Sequence, residues 1–226
     1  MNTNKIAKIV GWLFVITMIV GMVDAYLVAP ILKKTITDFY SNQSLMIAGA
    51  MLIMVMAIGI VGIAVVIYPF FRRYSETIAI TYVSFRTIEC VLLVVGSIVY
   101  LFLILLSKEF ITAGSPDASH FQSIGTLAIG IRYFAYQIAM IFLGLCGTLF
   151  SYLLYKTKLI PKPISTLGLI SYILLLASAL LDIFGIISTQ GLGIIMYIPG
   201  TLFELILLPL WLILKGFNAS VPTPSK

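Results

Sequence analysis

The chain has 226 residues, 61% hydrophobic and only 10% charged, with a mean hydropathy of +1.14. A soluble domain is about a quarter charged, so this composition excludes an ordinary soluble enzyme and describes a polytopic membrane protein. The formal charge of +6 does not point to nucleic acid, because the basic residues sit at the ends of apolar runs, as in loops that face an anionic leaflet.

The first predicted span is Ile6–Ala29. Lys5 and Lys8 ahead of an apolar run could introduce a signal peptide. The run continues past Gly21, however, and Pro30 follows the only small-residue cleavage site, so it is read as a retained span. An outer loop, Pro30–Ser44, follows; within it Ile31–Tyr40 mixes Lys33, Lys34 and Asp38 with apolar residues and is expected along the membrane interface. The second span is Leu45–Phe71, and the short Arg72–Tyr74 connection makes a tight antiparallel hairpin with the third, Ser75–Leu106. Ser75 and Glu76 suit a helix start. In the loop Ser107–Ser119, Ala113–Asp117 carries turn chemistry. The fourth span, His120–Tyr155, is longer than a bilayer requires and must tilt or project. The fifth, Ile164–Ile187, is entered through Pro161 and Pro163, residues that fit a first helical turn and not an interior. The sixth is Gly193–Leu214. The expected fold class is therefore an all-α integral membrane protein, a six-transmembrane-helix bundle over residues 1–217, with a disordered tail over 218–226.

Nine Lys and Arg fall on one side of this layout (Lys5, Lys8, Arg72, Arg73, Lys156, Lys158, Lys162, Lys215, Lys226) and three on the other (Lys33, Lys34, Lys108). By the positive-inside rule both termini are cytoplasmic and the protein is a multi-pass protein of the cell membrane.

Six ionisable residues lie inside the spans: Asp24, Arg86, Glu89, Arg132, Asp182 and Glu204. A charge at a span centre costs roughly 3 kcal/mol on insertion scales, so the third span, which holds Arg86 and Glu89, inserts only narrowly. Those two residues are three apart and share a helix face. Intramembrane charge marks a working site by default. Tyr136 lies in the polar and small stripe Arg132, Tyr136, Met140, Gly144, Gly147; Thr17 and Gly21 accompany Asp24, Ser171, Ser178 and Gly185 accompany Asp182, and Tyr197 and Gly200 accompany Glu204. Four acids against two arginines leave two carboxylates to be protonated, solvated or matched by a cation. The candidate site is accordingly Glu89 and Glu204 as central carboxylates, Arg86 and Arg132 as their partners or as anchors for an anionic group, Asp24 and Asp182 at an outer mouth, and Tyr136 between them, around an outward-open, water-filled funnel.

Cys90 and Cys146 fall inside apolar runs and indicate packing, not a disulfide framework. A single histidine, His120, excludes a His-ligated zinc site or a bis-His haem. The motifs H-E-x-x-H, G-x-S-x-G and the P-loop are missing. No cofactor, metal site or catalytic residue is expected. The leading function is binding or translocation of a small polar or cationic solute, or of protons. The alternatives are an intramembrane enzyme acting on a lipid or isoprenoid, and a non-catalytic accessory, sensor or immunity protein. Expected partners are membrane lipids, that solute, cation or proton, and a second copy or a partner membrane subunit, with no nucleic acid.

The segments Tyr68-Pro-Phe-Phe-Arg-Arg73, Arg86-Thr-Ile-Glu89, Ala113-Gly-Ser-Pro-Asp-Ala118, Leu159-Ile-Pro161 leading to Ser165 and Gly168-Leu-Ile170, and Glu204 followed by Trp211-Leu-Ile-Leu-Lys-Gly-Phe217 are fairly specific in this order and spacing. Over nearly its whole length the chain resembles the bacterial membrane family catalogued as domain of unknown function 4386. Family members are tryptophan-rich just after the proline at 161, where this chain has Ile164 and Leu167. The resemblance implies a bacterial cytoplasmic-membrane protein with six spans and supplies no activity.

Overall fold

A computed structural model of the chain describes residues 3–114, 118–189 and 191–218. Among the described residues eight α-helices follow one another: α1 (Thr3–Val28), α2 (Ile36–Ser41), α3 (Gln43–Phe71), α4 (Glu76–Thr112), α5 (Ala118–Thr157), α6 (Lys162–Ile183), α7 (Ile198–Leu202) and α8 (Leu208–Leu214). Among the described residues there is no strand. Six stretches of the described residues are long and apolar enough to cross a membrane: α1, α3, α4, α5, α6 and the composite segment Leu192–Leu214. Each spanning helix packs on the next in the chain, and the composite span packs on both α6 and α1, so the six close into a ring. The turns Arg72–Ser75 and Lys158–Pro161 lie at one end with the first and last described residues; the α1–α3 connection and the turns after α4 and α6 lie at the other.

Local sequence sets the helix ends. Ser75 caps α4 by accepting the Ile78 N–H at 3.3 Å, with Glu76 in the first turn. Pro161 and Pro163 start α6 as expected. The end of α6 corrects the predicted fifth span, which does not reach Ile187. Gly185 takes φ +69°, its N–H bonds to Asp182 O at 2.9 Å, and Ile186 N–H returns to Leu181 O at 2.9 Å. This is a glycine-dependent helix stop, so Gly185 belongs to the cap and not to a continuing stripe. Both α4, with 37 residues, and α5, with 40, outrun a bilayer of about 30 Å at about 1.5 Å per residue.

The predicted sixth span is not one regular helix. It runs as a 3-10 segment (Leu192–Tyr197), α7, a π-helical turn (Phe203–Leu207) and α8. Pro199 and Pro209 lack N–H donors and interrupt the regular ladder. The widened turn is marked by Leu208 N–H bonding to Phe203 O, five residues back, and it carries Glu204.

Residues 31–41 are also more than an interfacial strip. Thr35 and Asp38 form a capping box at the start of α2, Ile36 and Phe39 are buried, and Tyr40 N–H bonds to the Ser107 hydroxyl at 3.0 Å, which docks α2 on α4. The expected turn at 113–117 falls partly, and the expected disordered tail almost wholly, outside the described residues.

Two packing features position the interior. Gly144 and Gly147 let α5 and α6 approach closely; a Cβ on Gly144 would lie 2.7 Å from Leu176 Cβ, and one on Gly147 would run into the Tyr172 ring. Towards the terminal end the bundle is filled by rings. Tyr82 stacks on Phe150 at 5.3 Å, Phe150 meets Phe71 at 5.3 Å and Phe14 at 6.2 Å, and Phe70 stacks on Phe217 at 4.7 Å.

Candidate functional site

The charged residues gather in three groups at increasing distance from the aromatic layer. The first joins α4 to the π turn across the ring. Arg86 donates to Glu89 through Nη1, at 2.9 Å to Oε2 and 3.2 Å to Oε1, and its Nε donates to the Tyr82 hydroxyl at 3.2 Å. Arg86 Nη2 lies 3.8 Å from Glu204 Oε1, which also accepts the Tyr172 hydroxyl at 2.5 Å. One guanidinium therefore serves two carboxylates. With all three ionised the sum is +1 − 2 = −1, in a place where Arg86 is 3%, Glu89 1% and Glu204 9% exposed. An unmatched carboxylate at such a depth costs several kcal/mol and is relieved by a proton or a cation.

The second group joins α1, α4 and α5. Arg132 donates to the Tyr100 hydroxyl at 2.6 Å, and Tyr100 donates to Asp24 Oδ2 at 3.1 Å. The direct Arg132–Asp24 separation is 3.9 Å, and the guanidinium sits 4.8 Å above the Tyr100 ring centre. Charge is balanced here, one acid to one base. Asp24 is buried and its Oδ1 has no hydrogen-bond partner among the described residues.

The third group is neutralised by dipoles instead of by a cation. Asp182 Oδ2 accepts from Gln137 Nε2 at 2.5 Å, from Thr189 N at 3.2 Å and from the Thr189 hydroxyl. Gln137 Nε2 also reaches Thr189 Oγ1 at 2.8 Å, while its buried Oε1 is unpartnered. The four-to-two surplus of acids thus resolves into one excess carboxylate beside Arg86 and one, Asp182, held by hydrogen bonds alone.

Tyr136 lies between the groups: its hydroxyl is within electrostatic reach of Arg132, Glu89 and Glu204. The Tyr197 hydroxyl is in turn within reach of Tyr136, Tyr133 and Asp182 and has no hydrogen-bond partner. Tyr136 is 39% exposed as a whole residue, while the neighbouring polar residues Asp24, Tyr100, Gln137 and Asp182 are buried. Beside Glu204, one turn towards the end away from the termini, a Cβ added to Gly200 would meet nothing within 4 Å. Gly200 thus leaves a local gap beside Glu204, while Val28, Met46, Tyr100, Leu103 and Phe110 are buried on the same side of the bundle.

The sequence-predicted residues are not brought into a single hollow. Arg86, Glu89 and Glu204 converge; Asp24 and Arg132 form a separate pair; Asp182 stands apart. The central pair is closed rather than solvated, because the rings of Tyr82 and Tyr172 occupy the space beside it. Five partners were missed: Tyr82, Tyr100, Gln137, Tyr172 and Thr189. A signal existed for most of them. Tyr82, Arg86, Glu89, Leu93, Ser97 and Tyr100 recur at spacings of three and four and are all buried on one face of α4, and Gly168, Tyr172, Leu175, Ala179 and Asp182 do the same on α6. On α5 the helix buries Gln137 and leaves Tyr136 partly exposed, so the predicted stripe Arg132–Tyr136–Met140 is not a uniformly buried face. Among the described residues no group of three or more His, Cys, Asp or Glu could hold a metal ion.

The family model described as domain of unknown function (DUF4386) matches residues 9–216. No curated protein and no solved structure matches the chain.

Proposed function

The chain belongs to the DUF4386 family, and from its own side chains we propose that it is a multi-pass protein of the cytoplasmic membrane that binds a proton or a small cation at Glu89 and Glu204. Both termini face the cytoplasm in this reading, so the gap at Gly200 lies on the outward side of Glu204. The observation that carries it is the single guanidinium of Arg86 set against two buried carboxylates, because the excess negative charge calls for a partner that the protein does not supply. Arg86 holds Glu89, Tyr172 orients Glu204, and Glu204 is the more accessible acid. A cationic group arriving past Tyr136 meets Glu204 first. Translocation needs one further step, an opening of the aromatic layer at Tyr82 and Phe150.

Thermal unfolding of the purified protein, followed across pH and with sodium, potassium and small organic ammonium ions, tests this directly. Glu89→Gln and Glu204→Gln are expected to fold and to lose ligand- or pH-dependent stabilisation. An unchanged response in both variants overturns the proposal. A second reading, a purely structural charge network, is favoured by the closure of Arg86 between Tyr82 and Glu89; it requires a wild-type protein whose unfolding responds to neither protons nor cations.

A further inference from the structure

The first three turns of α1 form a groove of about 440 Å³ lined by Asn4, Lys5, Lys8, Ile9, Trp12 and Leu13, well away from the charge groups inside the bundle. We propose that it holds an anionic membrane phospholipid, with the phosphodiester on Lys5 and Lys8 and an acyl chain along Ile9 and Leu13. The volume falls within the range of small-molecule sites, roughly 300–1,000 Å³. Lys5 and Lys8 are three residues apart and Trp12 four beyond, so all three lie on one face, and all three are exposed.

Some of the basic residues at the same end are engaged. Arg72 pairs with Glu76 at 3.2 Å, Lys156 lies 5.9 Å over the Tyr152 ring and Lys162 lies 5.6 Å over Tyr155. Arg73, Lys158 and Lys215, like Lys5 and Lys8, make no ion pair and no ring contact among the described residues. What sets Lys5 and Lys8 apart is the groove they line, and no carboxylate lines it. Two unmatched ammonium groups over an apolar floor complement a lipid, which joins an anionic headgroup to a hydrocarbon chain. Their flexible stems reach the phosphate plane while the backbone stays deeper. Trp12, 56% exposed, has the amphipathic ring that settles at the headgroup level. The inference is independent of the proposed ligand at Glu204.

Trp12 also provides the readout. The chain has two tryptophans, so Trp211→Phe leaves Trp12 as the only emitter. This protein is reconstituted into phosphatidylcholine vesicles containing brominated phosphatidylglycerol or, in parallel, brominated phosphatidylcholine. Brominated phosphatidylglycerol is expected to quench Trp12 at a mole fraction up to about 25-fold lower, since each of the two lysines near the surface contributes an attraction of about fivefold. Lys5→Gln/Lys8→Gln in the same background is expected to abolish the difference, and Lys5→Arg/Lys8→Arg to keep it. Equal quenching by the two lipids with the lysines intact overturns the proposal, as does a preference that survives the double Gln variant. Inorganic phosphate at matched ionic strength is expected to leave the quenching unchanged; relief of quenching by phosphate would assign the groove to a free anion and overturn the lipid assignment.

Discussion

The bundle differs on the two sides of Glu204. Towards the termini, Phe14, Phe71, Tyr82 and Phe150 come from four helices and interlock. In the opposite direction the filling becomes polar: Asp24, Tyr100, Gln137 and Asp182 are buried there, with Gly200 leaving space beside Glu204. Rings that face one another across a bundle exclude water and hold the helices in register. Small residues and hydroxyls leave space and hydrogen-bonding capacity. One helical ring is therefore filled by aromatic rings at one level and by a buried polar network at the next, and the excess carboxylate sits at the boundary between the two.

The largest expected effect probes the boundary itself. Arg86→Gln strands Glu89 and Glu204 without their shared cation, and breaking a buried ion pair from one side costs about 3–5 kcal/mol. Glu204→Gln keeps the Arg86–Glu89 pair, relieves the excess charge and is expected to cost far less. Equal losses in denaturant-unfolding measurements would show that Glu204 is as tightly committed as Glu89.

The next comparison is between glycines on α5. At Gly147 a Cβ would run into the Tyr172 ring, whereas at Gly130 it would meet nothing within 4 Å. Gly147→Ala is expected to destabilise by about 1–3 kcal/mol through overpacking and to disturb the Tyr172–Glu204 hydrogen bond. Gly130→Ala is expected to be neutral or slightly stabilising. Matching melting temperatures for the two variants would contradict the close α5–α6 contact.

A similar effect is expected at the outer pair. Arg132 keeps 25% of its side chain exposed and lies 3.9 Å from the buried Asp24, which Tyr100 still holds by its hydroxyl, so Arg132→Gln should cost about 1–3 kcal/mol, below Arg86→Gln, which strands two carboxylates. A loss as large as that of Arg86→Gln would mean that the outer pair is as tightly committed as the inner.

The smallest expected effect lies outside the spans. The Thr35 hydroxyl bonds to Asp38 Oδ2 at 2.6 Å and the Thr35 N–H at 3.0 Å, and these bonds, the hydroxyl foremost, hold the Asp38 carboxyl below the usual range. A group whose folded-state pKa is depressed stabilises above its unfolded value and loses that contribution as pH falls through the folded value. Asp38→Asn is therefore expected to lower stability slightly at neutral pH and to make no difference in strong acid. An effect that grows on acidification would reverse the assignment.

Much of the architecture was legible in advance. Apolar runs, Ser75, Pro161 and Pro163 located six spans within a few residues, because a membrane helix must bury its own backbone bonds. Gly185 was visible as a residue but was taken as part of a stripe; only the path of the chain after Ile183 shows that it ends the helix. The π turn at Phe203–Leu207 was hinted at by Pro199 and Pro209, though composition does not reveal where such a bulge forms. The six internal charges were identifiable by cost alone. Their partition was not, because pairing depends on which faces meet across the ring: Arg86 reaches Glu204 on a span distant in sequence, and Asp182 finds Gln137 and Thr189 rather than an arginine.

The most direct measurement is infrared difference spectroscopy on the purified wild-type protein at neutral pH, compared with Glu89→Gln and Glu204→Gln. The expected result is a carboxylic acid signal, or a carboxylate signal that shifts when a cation binds, which disappears in one of the two variants. A wild-type protein with neither a protonated carboxyl group nor a bound cation, and with identical spectra in both variants, would contradict the claim that the site beside Arg86 takes up positive charge.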